Sequence, residues 1–194
     1  MACADGLAVA LLAAGSSTRF GTADKLDAAL GERPLLEWAA RAGLAIEAQW
    51  RFIVAAPDLQ ADVPAYERLT NLHPERGLAS SLGMAARAAE EKRAQGLLIL
   101  LADMPFVQVD HLRGLVDAYR QDRSRPVFSA PPDGVPQPPA LFPAKLFTAL
   151  QTFEGDKGAR SLSAGAALIE ASADSLLDID TLKDLERARD FLRG

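Results

Sequence analysis

The sequence predicts an α/β fold: one open, mostly parallel β-sheet with helices packed on both faces. Three observations lead there. Short apolar runs alternate with longer amphipathic ones along most of the chain, a β-then-α rhythm. Strands separated by helices return in the same direction, so the sheet they build is parallel and covered on both sides. The length of 194 residues, with 49% hydrophobic and 24% charged side chains, fits a single domain with a substantial core.

The elements follow in order. An apolar run at 7–13 reads as the first strand and 35–46 as the first helix, followed by a strand at 51–56. A helix at 78–94 precedes the most apolar strand, 97–102, and a helix at 111–120 follows it. Further strands are expected at 68–72, 126–130 and 167–171. A closing helix spans 181–192, with Asp180 or Thr181 as its N-cap and Asp184 in its first turn. Six of the twelve prolines fall within 131–143, which predicts a stiff, extended, exposed stretch. It reads either as a plain loop ahead of a helix starting near Pro143 or as the wall or lid of a substrate pocket.

Composition narrows the function. A formal charge of −5 disfavours nucleic acid and anionic membrane surfaces, which are held by broad basic fields, so any anionic ligand must be met locally. The one cysteine, Cys3, has no internal disulfide partner, and a reducing cytoplasm is the expected setting. The run 7–14 has no preceding Lys or Arg and is short for a signal-peptide core, and no segment approaches the roughly eighteen apolar residues of a membrane span.

Two features stand where a parallel sheet gathers its ligands, beyond the carboxyl ends of its strands. In the first, the opening strand runs through Leu12, Ala13, Ala14 and Gly15 into a small-residue loop carrying Arg19, with Lys25 close behind. Small residues let backbone N–H groups approach phosphate oxygens, and the two cations supply charge for a triphosphate. In the second, the buried run 97–102 ends in Asp103-Met104-Pro105. A bare carboxylate beside a triphosphate repels it unless a divalent cation lies between, and hard oxygen ligands favour Mg²⁺. Taken singly, the loop also reads as a flexible turn with solvated cations, and Asp103 as a turn or cap residue before Pro105. A Walker A loop is excluded because five residues separate Gly15 from Gly21 and Thr22 follows; the G-x-G-x-x-G dinucleotide fingerprint is absent as well.

Other candidates are weaker. Ser80 and Ser81 sit at the start of the 78–94 helix, either as caps or as ligand contacts; Arg76 is a further candidate, while Asn71, His73 and Glu75 read equally as surface loop. In Gly155-Asp156-Lys157-Gly158-Ala159-Arg160 two cations open an expected helix, so Lys157 or Arg160 is a candidate for an acceptor's phosphate, or else a solvated basic side chain.

Several of these segments together resemble the molybdenum cofactor cytidylyltransferases of the MobA-like nucleotidyltransferase family. They are the opening L-A-A-G-S-S-T-R-F-G-T-A-D-K, then Gly31-Glu32-Arg33-Pro34-Leu35-Leu36, G-L-A-S-S-L at 77–82, L-A-D-M-P at 101–105, G-D-K-G-A-R at 155–160, and Asp178-Ile179-Asp180-Thr181. The resemblance spans nearly the whole chain. It implies a Rossmann-like domain of the nucleotide-diphospho-sugar transferase type that joins CMP from CTP to the terminal phosphate of molybdopterin and releases pyrophosphate. It further implies nucleotide contacts at Leu12, Ala13, Ala14, Gly15, Ser80 and Ser81, phosphate contacts at Arg19 and Lys25, and Mg²⁺ at Asp103. Asp180 is a second metal ligand by the same similarity, or a helix cap. Ala14 resembles the cytidylyl-transferring members, whereas Gly at that position resembles the guanylyl branch, which implies CTP over GTP. One departure stands out: relatives with a G-H-P sequence before the helix near Pro143 have a histidine that this chain replaces within Gly134-Val135-Pro136-Gln137-Pro138-Pro139, which leaves the acceptor open.

The chemistry is consistent on its own terms. A phosphate monoester has a second pKa of about 6 and is largely deprotonated at neutral pH, so it attacks without a general base. Neither His73 nor His111 is then required, and Arg19, Lys25 and Asp103 form the expected catalytic set. Two alternatives remain: a guanylyl or other nucleotidyl transferase with a different phosphorylated acceptor, or a non-catalytic protein that hands cofactor to a recipient molybdoenzyme.

Overall fold

The computed structural model describes residues 6–15, 25–61, 63–132, 134–153 and 162–192. The first strand, β1 (Leu7–Ala13), is buried along its whole length. Its side chains alternate between the two faces of the sheet, Val9 and Leu11 joining one core and Ala8, Ala10 and Leu12 the other. A short hairpin follows, β2 (Ala29–Leu30) with β3 (Arg33–Pro34), turning at Gly31, whose φ of +67° suits a residue without Cβ. Then come α1 (Leu35–Leu44), β4 (Trp50–Ala55), β5 (Glu67–Thr70), α2 (Leu78–Glu91), β6 (Gly96–Leu101), α3 (Val109–Gln121), β7 (Val127–Ala130), β8 (Gln137–Pro143), α4 (Phe147–Leu150), β9 (Ala167–Glu170) and α5 (Leu182–Phe191).

The main sheet has the order β5-β4-β1-β6-β8-β7-β9. β1 lies between β4 and β6, parallel to both, and only β8 runs antiparallel to its neighbours. Core residues of α1, α3 and α5 pack on one face, and those of α2 and α4 on the other. The buried side of α2 is built on Ala79, Ala85, Ala86 and Ala89, and the strand beneath it presents Ala8 and Ala10, so helix and sheet approach closely. No described helix is long and apolar enough to cross a membrane.

The proline-rich stretch departs from its expected exposure. From Pro139 to Pro143 it is buried, inserted between β6 and β7. Apolar Ala140, Leu141 and Phe142 drive that burial, and Phe142 meets Phe128 edge-on at 5.4 Å. Prolines, which donate nothing to a ladder, are accommodated because the β7–β8 register shifts between Phe128 and Ser129 where β8 begins. The helix expected near Pro143 reduces to a 3-10 turn, Ala144–Leu146, and the four-residue α4.

Candidate active site

β1 and β6 lie side by side, so the segments leaving their carboxyl ends start as neighbours. The Ala102 N–H donates to the Leu12 carbonyl at 3.0 Å, and the Met104 N–H to the Leu101 carbonyl at 3.3 Å, which turns the chain sharply at Asp103. Leu12, Ala13 and Ala14 are buried, whereas Gly15 is exposed. Arg19 lies outside the described residues, as do Lys157 and Arg160.

The chain returns in a 3-10 turn, Lys25–Asp27, that carries Lys25 inward, where only 6% of the residue is exposed. Its ammonium donates to Asp103 Oδ2 at 2.7 Å and to Asp180 Oδ1 at 2.9 Å. Asp180 is brought there by the backbone: the Ile179 N–H donates to the Asp103 carbonyl at 2.9 Å, while the Ile179 side chain is fully buried. Asp180 is not the cap of α5. Thr181 fills that role, with the Asp184 N–H donating to Thr181 Oγ1 at 3.2 Å and the Thr181 N–H to Asp184 Oδ2 at 2.8 Å.

The charges here are set by Lys25 and the carboxylates around it. Burial works to lower the Lys25 pKa, but the charge and hydrogen bond of Asp103, and then those of Asp180, outweigh it and hold the ammonium above its ordinary value. The Asp178 carboxyl is pushed upward, first by partial burial and then by the Asp180 and Asp103 charges, although the residue still reaches solvent. Two carboxylates share one ammonium and a third lies within their field, so among the described residues negative charge is in surplus. Asp103 Oδ1 is buried with no hydrogen-bond partner among the described residues. An orphaned carboxylate oxygen beside a second carboxylate fits a hard divalent cation, which Mg²⁺ sites satisfy with one or two carboxylates plus water and phosphate. No group of three or more His, Cys, Asp or Glu is arranged for a metal among the described residues.

Residues 9–174 match the MobA-like NTP transferase domain. The chain belongs to that family. It is 33% identical over 136 residues to the purine catabolism protein PucB of Bacillus subtilis (strain 168), a match covering 65% of this chain and 64% of that protein, just under two thirds of its length. The fold is similar to that of the Mycobacterium tuberculosis Rv0371c homolog from Mycobacterium sp. strain JC1, with a TM-score of 0.82 and 23% identity, covering 97% of this chain and 98% of that one. It is also similar to the molybdopterin-guanine dinucleotide biosynthesis protein A of Archaeoglobus fulgidus, with a TM-score of 0.68 and 19% identity, covering 95% and 98% of the two chains.

Elsewhere in this MobA-like domain the expected residues separate. Ser80 and Ser81 do not cap α2, which starts before them with Gly77 as its N-cap. Ser81 is buried and its hydroxyl accepts from Asn71 Nδ2 at 3.1 Å, so its side chain turns inward, whereas Ser80 lines an open groove together with Arg76. Asn71, which reads equally as surface loop in the sequence, is 1% exposed. The available signal was its position, a short amide directly after a strand's carboxyl end, where ligands collect. That groove, about 1140 Å³, does not include Lys25 or Asp103 among its described lining residues.

His73 pairs with Glu75 at the surface at 3.2 Å. His111, at the start of α3, lies 2.7 Å from Ser129 Oγ, and Ser129 Oγ donates to the Pro139 carbonyl at 2.7 Å. A carbonyl only accepts, so the single Ser129 proton goes there and His111 Nε2 carries the hydrogen of the first contact. Burial lowers the His111 pKa and favours this neutral form.

Proposed function

We propose that the chain is a Mg²⁺-dependent cytidylyltransferase that transfers CMP from CTP to the terminal phosphate of molybdopterin. An acceptor phosphate oxygen forms a bond to the α-phosphorus, the bond to the oxygen bridging to the β-phosphate breaks, and its electron pair leaves with pyrophosphate. The observation that carries this reading is Lys25 held between Asp103 and Asp180 at the mouth of β1 and β6. A protein that only binds nucleotide has no need of an ammonium and two carboxylates gathered from three distant segments.

Asp103 and Asp180 are the residues that would hold the cation, and once bound it supplies charge neutralisation on the phosphates. The chain's own groups do the rest. The small residues Ala14 and Gly15 let the phosphates approach the backbone, and Lys25, fixed by its carboxylate partners, is placed to turn toward phosphate oxygens as charge builds on the leaving pyrophosphate. Arg19 supplies a second cation, and Lys157 or Arg160 holds the acceptor's phosphate. No base is required, because the nucleophile arrives deprotonated. Ala14 supports CTP over GTP. PucB is named for purine catabolism, and we place the use of the product in the same process, through a cytoplasmic molybdoenzyme.

Pyrophosphate release from CTP, GTP, ATP and UTP, with and without molybdopterin and Mg²⁺, tests the reading. Acceptor-dependent release from CTP alone is the expected result. Preference for GTP makes the chain a guanylyltransferase of the same site, and no acceptor-dependent release from any of the four refutes transfer.

A further inference from the structure

Helix α5 touches each of the three segments that meet at the site. Asp180 stands directly before its N-cap, Thr181, and accepts from Lys25 at 2.9 Å. At the far end the Phe191 ring packs on that of Phe106, with centroids 4.9 Å apart, and Phe106 lies just past Asp103 in the chain. Arg189, one turn from that end, reaches the segment that carries Lys25: its Nε and Nη2 both donate to the Ala29 carbonyl, at 3.2 Å and 2.8 Å. Ala29 follows the 3-10 turn Lys25–Asp27, which closes through the Ala28 N–H on the Lys25 carbonyl at 3.1 Å. Gly31 then passes so close to α5 that a Cβ there would meet Leu192 Cδ1 at 3.5 Å. Residue numbers rise together along the two segments, Lys25 with Asp180, Ala29 with Arg189 and Gly31 with Leu192. The chain from 25 to 31 therefore lies along α5 and is fastened at both ends and between them.

Resting on the transferase reading above, we propose that Arg189 is a positioning residue for Lys25: by pinning the Ala29 carbonyl to α5 it keeps the 3-10 turn seated and the ammonium between Asp103 and Asp180. A lysine side chain has four torsions to fix, and the two carboxylates fix only its tip. The backbone at its root is held by the turn, and the turn is held to α5 at Ala29. A guanidinium that sets two charged donors on one carbonyl constrains direction as well as distance. This contact lies near the surface, where charge is screened, so it adds little to global stability. What it controls is the local opening in which the turn lifts and both ion pairs of Lys25 part together.

The test reads Lys25 directly. The folded full chain is treated with limiting acetic anhydride at a single pH, and acetylation of Lys25 is compared by mass spectrometry with that of Lys145, which is exposed. In Arg189→Ala the ratio of Lys25 to Lys145 labelling rises about tenfold, the effect of one charge-assisted hydrogen bond on a local opening. Arg189→Lys, which keeps one charged donor for the carbonyl, lies between the two. Arg187→Ala removes the exposed pair of Arg187 with Asp174 from the same helix and leaves the ratio unchanged. In pyrophosphate release from CTP with Mg²⁺ and molybdopterin, Arg189→Ala lowers kcat about tenfold at constant KM. In the Lys25→Met background it lowers kcat by less than about twofold, because the residue through which it acts is gone. A labelling ratio in Arg189→Ala within about twofold of the unmodified chain, an equal rise in Arg187→Ala, or the same loss of kcat in both backgrounds overturns the proposal and leaves the transferase reading standing. If the unmodified chain releases no pyrophosphate, the transferase reading falls, and the labelling ratio alone decides whether Arg189 seats Lys25.

Discussion

Lys25 and Asp180 are separated by 155 positions in sequence and meet at 2.9 Å. Asp103 completes the contact from the other side of the ammonium, so one buried cation ties the turn after β1 to the turns after β6 and before α5. This arrangement links stability to function, since the charges that hold the three segments together are those that would face a metal nucleotide.

Replacing Lys25 with Met removes the cation from between its partners. Asp103 is largely buried but Asp180 is about half exposed, with 21% and 46% of their side chains accessible, so the repulsion left behind is partly screened. A loss of about 1–3 kcal/mol of stability is expected, below the cost of breaking a fully buried pair. Because a metal would be held by the same two carboxylates that pair with the ammonium, Mg²⁺ should raise the Tm of Lys25→Met more than that of the unmodified chain, while pyrophosphate release falls about 100-fold or more. Thermal scans with and without Mg²⁺ check this, and an equal metal response in both proteins would contradict it.

Asp103→Asn keeps the shape and removes the charge. Calorimetry should show Mg²⁺-nucleotide binding weakened by about tenfold or more, with turnover falling further than affinity. Unchanged Mg²⁺ dependence of turnover would remove Asp103 from the metal site.

Thr181→Ala separates the cap from the site. It removes the hydroxyl that accepts from the Asp184 N–H while leaving the Thr181 N–H on Asp184 Oδ2, and is expected to cost about 1 kcal/mol, read by urea denaturation. Asp180→Ala should reverse the pattern, with little change in α5 and a large loss of turnover. Equal activity losses in the two variants would show that Asp180 acts only through the helix.

His111 sets a pH dependence of stability. Its folded pKa lies below the ordinary 6.5, burial being the cause, so below that pH the unfolded chain takes up protons before the folded one does. The His111 contribution is therefore intact above pH 6.5 and is lost as the pH falls toward the lowered value. His111→Gln retains a donor for Ser129 and does not titrate. Denaturation midpoints between pH 7.5 and 5 should fall less steeply in that variant than in the parent, and parallel slopes would rule His111 out.

Patterns carried by neighbouring residues were legible from the sequence alone. Strand and helix periodicity marked β1, β6, α2 and α3, and Asp103 stood out because a carboxylate ends an apolar strand. Asp184 in the first turn of α5 announced a capping box, though not which residue would be the cap. The buried course of β8 was hidden because proline signals exposure locally, while the slot between β6 and β7 exists only once the sheet is assembled.

For Asp180 and Asn71 the local sequence leaves two readings each, helix cap or metal ligand for Asp180, surface loop or site residue for Asn71. Tertiary contact decided where each side chain goes: the Ile179 N–H bond to the Asp103 carbonyl brings Asp180 to Lys25, and Asn71 is buried with its carboxamide bonded to Ser81 Oγ and the His73 N–H. Periodicity acts over a few residues and so determines the elements. Charge pairing and desolvation act across space, and here they determine what the residues at the ends of those elements do.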